Sequence, residues 1–288
     1  MPELPEVEVL ARHLAPLVRG RKILGVQILR AKVLRPTLAP AFQRQLRGAT
    51  FLELTRRAKY LLFQLRSKKG NPITLVGHLG MTGRMYLSPA KTPWPKHAAV
   101  VLKLGRENFI YEDTRYFGRL TLDTSSLAEL GPEPWAAEFT VENFSAALKR
   151  SAQPIKVKLL DQSVVAGVGN IYASEALFRA RISPRLAARR LRREQVKRLR
   201  QAIRQTLADA IKHGSTLPLN YGRAGERDGL FYFGRALEAA DYYVERLQVY
   251  DRAGEPCRHC GTAIRRVVQA ARSTFYCPQC QRGQMQKR

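Results

Sequence analysis

Apolar residues recur at helical spacing close to the start of the chain, where Val7, Leu10, Leu14 and Leu17 follow Pro5 and Glu6 and precede Gly20. Proline and an acid in the first turn, with glycine past the last, are start and stop signals. They predict an amphipathic helix over 4–17. From 23 to about 124 the pattern shortens to β-prone runs at 23–34, 50–65, 73–79, 98–104 and 109–111. Strands this frequent predict a β-sandwich or barrel. Gly131, Pro132, Pro134 and Trp135 mark a connection over 125–139, after which helical periodicity returns as far as about His213. The fold class predicted is α+β, with a β-rich first half and a helical second half.

Within the helical half, 185–204 carries nine Arg or Lys and one acid, Glu194, while Leu186, Leu191, Leu199, Ile203 and Leu207 fit one face. Such a run is either a solvated helix face or one turned toward phosphates. The whole chain leans the same way: 50 Lys and Arg against 23 Asp and Glu give its 288 residues a formal charge of +27. That excess asks for a polyanion. Nucleic acid fits better than an anionic membrane surface, because neutralised phosphates release condensed counterions. With 45% apolar residues the chain has the makings of buried cores. It contains no apolar run of about 18 residues, and its opening has acids and prolines instead of a basic start and an apolar stretch. A soluble, unexported protein in a reducing compartment is expected.

All four cysteines lie near the end: Cys257-x2-Cys260, 16 intervening residues, then Cys277-x2-Cys280. Two such turns bring four thiolates together tetrahedrally on zinc. Two strands, 264–269 and 273–276, are predicted between them, so the metal would staple a hairpin too small to bury its own core. Disulfides are the alternative. His259 is a bystander beside a shell that four sulfurs already complete. Arg265, Arg266 and Arg272 make the hairpin a plausible finger into a DNA groove.

Pro2 offers different chemistry. Removal of Met1 before a small residue exposes a secondary amine whose pKa, about 8, leaves part of it unprotonated at neutral pH. Such an amine attacks carbon to form an iminium, with Glu3 and Glu6 close by to move protons. The same residues also make an ordinary helix start.

The opening Met1-Pro2-Glu3-Leu4-Pro5-Glu6-Val7-Glu8 resembles that of the formamidopyrimidine-DNA glycosylase and endonuclease VIII family, with Leu4 favouring the first branch. Further matches follow in the family's order: Arg57-Ala58-Lys59-Tyr60-Leu61, His78-Leu79-Gly80-Met81-Thr82-Gly83-Arg84, Asp113-Thr114-Arg115-Tyr116-Phe117-Gly118, Gly167-Val168-Gly169-Asn170-Ile171-Tyr172-Ala173 and the cysteine hairpin.

The resemblance implies a catalytic β-sandwich domain over 1–130, a linker over 131–149, a helical domain with helix, two turns and helix over 150–246, and a zinc β-hairpin over 247–288. It implies a bifunctional glycosylase and abasic-site lyase that excises oxidised purines (8-oxoguanine and formamidopyrimidines) by β,δ-elimination. Pro2 would be the nucleophile and Glu3 the acid that opens the sugar. Lys59, Asn170 and Arg272 would grip phosphates. Met81, Arg115 and Phe117 would fill the gap left by the everted base, although apolar Met81 and Phe117 are also ordinary core types. Lys156 would lie near the lesion. The implied partner is damaged duplex DNA, the implied cofactor structural zinc, and the implied state a monomer at the nucleoid in the bacterial cytoplasm.

Two departures stand out. Thr114 and Tyr116 replace the family's usual proline and second arginine, losing rigidity and a charge. The stretch 217–246, where relatives carry a loop over the everted base, is longer and aromatic, with Tyr221, Phe231, Tyr232, Phe233, Tyr242 and Tyr243. It reads as a packed helix around 235–245, or else as a stacking surface for another lesion. Oxidised pyrimidines are therefore a second expectation for the substrate, and a non-catalytic zinc-hairpin DNA-binding protein is a third reading.

Overall fold

A computed structural model describes residues 2–213 and 246–282, which divide into two compact units, 2–128 and the described residues from 129 onward. The aromatic stretch discussed above, up to 245, lies outside them. In the first unit, α1 (Leu4–Val18) takes Glu3 as its N-cap and buries Leu4, Val7, Leu10, Ala11, Leu14 and Val18. β1 (Gly25–Ile28) gives way to a 3-10 turn (Ala31–Leu34) and then to α2 (Ala39–Leu46). The run expected as strand over 23–34 is thus strand only in its first part. Pro36 cannot donate to a ladder, Pro40 sits in the first turn of α2, and Phe42 and Leu46, one turn apart, are both buried.

The remaining strands are β2 (Thr50–Arg57), β3 (Tyr60–Arg66), β4 (Pro72–His78), β5 (Gly83–Pro89), β6 (Ala98–Lys103), β7 (Glu107–Asp113) and β8 (Arg119–Thr121), with the short α3 (Ser125–Ala128) closing the unit. They form two antiparallel four-stranded sheets, ordered β1-β6-β7-β5 and β2-β3-β4-β8. One core takes Phe51, Phe63 and Leu75 from one sheet, Val100, Leu102 and Phe109 from the other, and the buried stripe of α1. This is the β-sandwich expected, with strand residues alternating inward and outward as in β3, where Leu61, Phe63 and Leu65 are buried.

The second unit contains α4 (Val141–Lys149), α5 (Ile155–Lys158), α6 (Asn170–Arg179), a 3-10 turn (Ala188–Arg190) and α7 (Arg193–Lys212), then β9 (Arg265–Gln269) and β10 (Arg272–Tyr276). The stretch expected as a linker carries α4, capped by Thr140 Oγ1 accepting from the Asn143 amide at 3.1 Å, with Phe144 and Leu148 buried in the helical core. Val196, Leu199, Ile203 and Leu207 of α7 are buried, each worth roughly 1.5–3 kcal/mol for a full-sized aliphatic side chain. Glu175 ties the zinc segment to α6: its buried carboxylate accepts from the amides of Gln248, Val249 and Tyr250 at 2.9, 2.9 and 2.8 Å. Among the described residues no helix is long and apolar enough to cross a membrane.

Candidate functional site

Pro2 and Glu3 stand at the entry to α1, Glu3 as its N-cap, and both are buried. The Glu3 amide donates to Glu6 Oε2 at 2.8 Å, so the capping arrangement is present. It places Pro2 immediately before the helix start, at the positive end of the helix dipole. One turn on, Glu8 Oε2 accepts from Arg56 Nε at 2.7 Å, and Arg56 Nη1 donates to the Ala58 carbonyl at 3.1 Å. This ties α1 to the two-residue turn between β2 and β3, where Ala58 takes a left-handed φ of 52° and Lys59 is nearly buried. Lys59 and Arg119 lower the pKa of His78 in support of burial, the largest cause, and bring it to about 4. His78 is therefore neutral at neutral pH, and its Nδ1 accepts from the Gly80 amide at 3.1 Å.

His78 and Asp113 stand at the bases of two loops, 79–82 and 114–118, that carry the three residues expected to wedge DNA. Asp113 is completely buried. Its carboxylate accepts from Thr82 Oγ1 at 2.5 Å, the Arg115 amide at 3.1 Å and the Gly118 amide at 2.8 Å, which locks both loops to one group. The backbones also touch, since a Cβ on Gly80 would meet the Gly118 nitrogen at 2.6 Å and one on Gly118 would meet the His78 carbonyl oxygen at 2.4 Å. Only glycine permits that approach. Met81 and Phe117 are 47% and 54% exposed, which excludes the core alternative for both. Arg115 lies between them, with Nη1 3.5 Å from Met81 Sδ and its guanidinium carbon 5.2 Å from the Phe117 ring centre. An apolar and cationic tip on a rigid base can fill a gap in a base stack and hydrogen-bond an unpaired base.

In the second unit, Gln162 pins the turns between α5 and α6, accepting from the Gly167 amide at 2.9 Å and donating to the Val168 carbonyl at 2.8 Å. Gly167 takes a φ of 96°, and Asn170 opens α6. Lys156 is fully buried; its Nζ bonds Asn170 Oδ1 and donates to the Ser273 carbonyl at 3.3 Å. Asn170 Nδ2 donates to the same carbonyl at 3.0 Å, one residue from exposed Arg272. Asn170 and Arg272 are thus brought together, while Lys156 acts on Asn170. In the basic run, Arg200 and Arg204 bond the carbonyls of Phe139 and Pro134 and Arg193 pairs with Glu142. Arg185, Arg189 and Arg190 are exposed.

The four cysteine sulfurs lie within 4.8 Å of one another, with Cys257 to Cys280 at 3.9 Å and Cys260 to Cys277 at 3.5 Å. A disulfide requires about 2.05 Å, whereas tetrahedral Zn–S bonds of about 2.3 Å separate sulfurs by just under 4 Å. The thiols are free and the set fits zinc. His259 Nε2 is 3.3 Å from Arg181 Nη2. β9 and β10 pair in the register Arg272↔Gln269 through a turn in which Ala270 and Ala271 both take positive φ, 47° and 57°.

Comparison with known proteins agrees with this geometry. The formamidopyrimidine-DNA glycosylase N-terminal domain matches residues 1–120, the H2TH domain of the same enzymes 130–219, and the zinc finger found in these enzymes and in isoleucyl-tRNA synthetases 254–283. The formamidopyrimidine-DNA glycosylase of Ligilactobacillus salivarius is 39% identical, with 98% of this chain and 99% of that one covered. This chain belongs to the formamidopyrimidine-DNA glycosylase family. The Symbiobacterium thermophilum member is 43% identical, covering 98% of this chain and 89% of its own. Lactococcus lactis Fpg in complex with abasic-site DNA superimposes with a TM-score of 0.86 at 31% identity, covering 98% and 100% of the two chains. The same enzyme with DNA containing an oxidised pyrimidine gives 0.85 at 32%, with the same coverage. The family's zinc finger coincides with the cysteine cluster, and this chain binds structural zinc through it.

Proposed function

We propose that this chain is a DNA glycosylase of base excision repair that excises oxidised purines and then cleaves the abasic strand. The observation that carries the reading is the conjunction, within the first unit, of Pro2 at the head of α1 with a wedge tip locked onto Asp113. A base inside a duplex is unreachable until it is everted, and the gap must then be filled. Met81, Arg115 and Phe117 fill it; Lys59 in the first unit and Asn170 and Arg272 in the second grip the backbone. With Met1 removed, the lone pair of the Pro2 nitrogen forms a bond to the sugar C1′ as the glycosidic bond breaks; the base leaves with the electrons of that broken bond and takes up the proton that the Pro2 nitrogen sheds. Glu3 protonates the ring oxygen as the C1′–O bond opens, giving an iminium. The iminium acidifies the adjacent carbon; loss of that proton expels the 3′ phosphate, and a second deprotonation expels the 5′ phosphate. The zinc hairpin takes no part in these steps and presents Arg272.

A second substrate reading, oxidised pyrimidines by the same chemistry, is favoured by the Lactococcus lactis enzyme having been captured on such DNA. Borohydride trapping on a panel of duplexes containing 8-oxoguanine, a formamidopyrimidine or an oxidised pyrimidine tests both. Faster trapping on the purine lesions is expected. Preference for the pyrimidine replaces the first substrate by the second, and binding without any trapping leaves the non-catalytic reading.

A further inference from the structure

We propose that Arg30 is a phosphate-binding residue of the first unit, pre-ordered by Tyr116 to grip the DNA backbone beside the wedge; this rests on the DNA-repair reading above. Arg30 follows β1 in sequence and is exposed. Three contacts nonetheless fix its guanidinium: Nη1 donates to the Leu29 carbonyl at 2.9 Å, Nε donates to Tyr116 Oη at 3.3 Å, and the guanidinium carbon lies 5.7 Å from the Tyr116 ring centre. No carboxylate among the described residues pairs with it. Five N–H donors are available and two are used, so a charged fork with spare donors is held in place at the surface. An exposed arginine in water ordinarily samples many rotamers. Holding one still without a carboxylate prepares it for an anion from outside, and a phosphodiester is the anion this surface meets.

Tyr116 is built for that task. It lies between Arg115 and Phe117 in sequence and takes a left-handed φ of 53°, which a bulky aromatic residue rarely adopts. Its neighbours hold it there: the ring packs on the sandwich core and meets His97 edge-on at 6.4 Å. While Arg115 stacks on the exposed ring of Phe117, Arg30 stacks on the half-buried ring of Tyr116, so one short loop orders two guanidinium groups by the same aromatic means. Their difference in exposure separates their tasks, with Arg115 at the tip and Arg30 at the flank.

The test is equilibrium binding to a duplex with a tetrahydrofuran abasic analogue over a salt series. The proteins are wild type, Arg30→Ala, Tyr116→Phe, the Arg30→Ala/Tyr116→Phe double variant, and Arg66→Ala as a charge control at an exposed arginine that ends β3. Arg30→Ala is expected to bind about two- to tenfold more weakly and to lower the slope of log K against log salt by about 0.9, the signature of one lost phosphate contact. Tyr116→Phe removes the hydroxyl anchor and should give a smaller loss that the double variant does not add to. Arg66→Ala should leave the slope unchanged. A slope for Arg30→Ala equal to the wild type, or strictly additive losses in the double variant, overturns the assignment. Borohydride trapping of the wild type in parallel separates the two claims: trapping with an unchanged slope sinks Arg30 alone, and no trapping sinks the underlying function.

Discussion

Asp113 is buried and forms no ion pair among the described residues; its carboxylate instead accepts from the Thr82 and Tyr111 hydroxyls and the Arg115 and Gly118 amides. Asparagine in its place offers one acceptor and turns an N–H toward a donor. Asp113→Asn should destabilise the protein by about 1–3 kcal/mol in denaturant unfolding, the usual penalty of an unmatched buried polar pair. Excision of a stacked lesion should fall further than cleavage of a pre-formed abasic site, which needs less eversion; equal losses would contradict the role given to the loops. His78 makes a pH prediction. Its folded pKa, about 4, is below the ordinary 6.5 because burial, Lys59 and Arg119 oppose a charge. The unfolded chain therefore binds the extra proton between these values, and the stability His78 contributes is present above pH 6.5 and lost as pH falls toward 4, by at most about 3 kcal/mol. Melting curves at pH 5 and 7.5 should show a larger acid loss for wild type than for His78→Gln. These residues were legible as motif members, but their partners were not. Glu8 with Arg56, and Glu175 with Val249, are 48 and 74 positions apart, and no local spacing announces such contacts.

At the scale of elements, periodicity located α1, the main strands and the cysteine hairpin because each buries a regular face. It misses α2, where prolines and one aromatic turn replace a full stripe, whereas the linker that the resemblance implied over 131–149 holds α4 and the stacked rings of Phe139 and Phe144, with centres 4.9 Å apart. The basic run was ambiguous in sequence for a physical reason: Arg200 and Arg204 serve backbone carbonyls, while Arg185, Arg189 and Arg190 face solvent. The hairpin turn also holds a correctable strain. Ala270 and Ala271 occupy the left-handed positions that Asn-Gly favours, so Ala270→Asn with Ala271→Gly should stabilise the hairpin by about 0.5–1 kcal/mol and slow zinc release to a chelator. Unchanged or faster release would count against that reading of the turn. Removing zinc should abolish binding to lesion DNA, because the hairpin's small apolar cluster, with Val249, Ile264 and Phe275, is built around Cys257 and Cys277 themselves, and Ser273, adjoining Arg272, is where Lys156 and Asn170 converge. Full affinity in zinc-free protein would show that the hairpin does not present Arg272 to DNA.

For the whole molecule, charge pointed to a polyanion and ordered motifs to a family, yet neither reports how a buried acid, a neutral histidine and a left-handed tyrosine cooperate. Those depend on the sandwich bringing β4, β5 and β7 ends together, with Gly83 paired to Asp113. The cysteine cluster and Pro2 have separate duties in the proposed function, support at the first and chemistry at the second. The most direct test is peptide mapping by mass spectrometry of the borohydride-reduced adduct between the Met1-processed protein and lesion DNA. A single reduced linkage on the Pro2 nitrogen is expected, absent when Pro2 is blocked by a retained Met1. An adduct on Lys59 or any other lysine, with Pro2 unmodified, would contradict it.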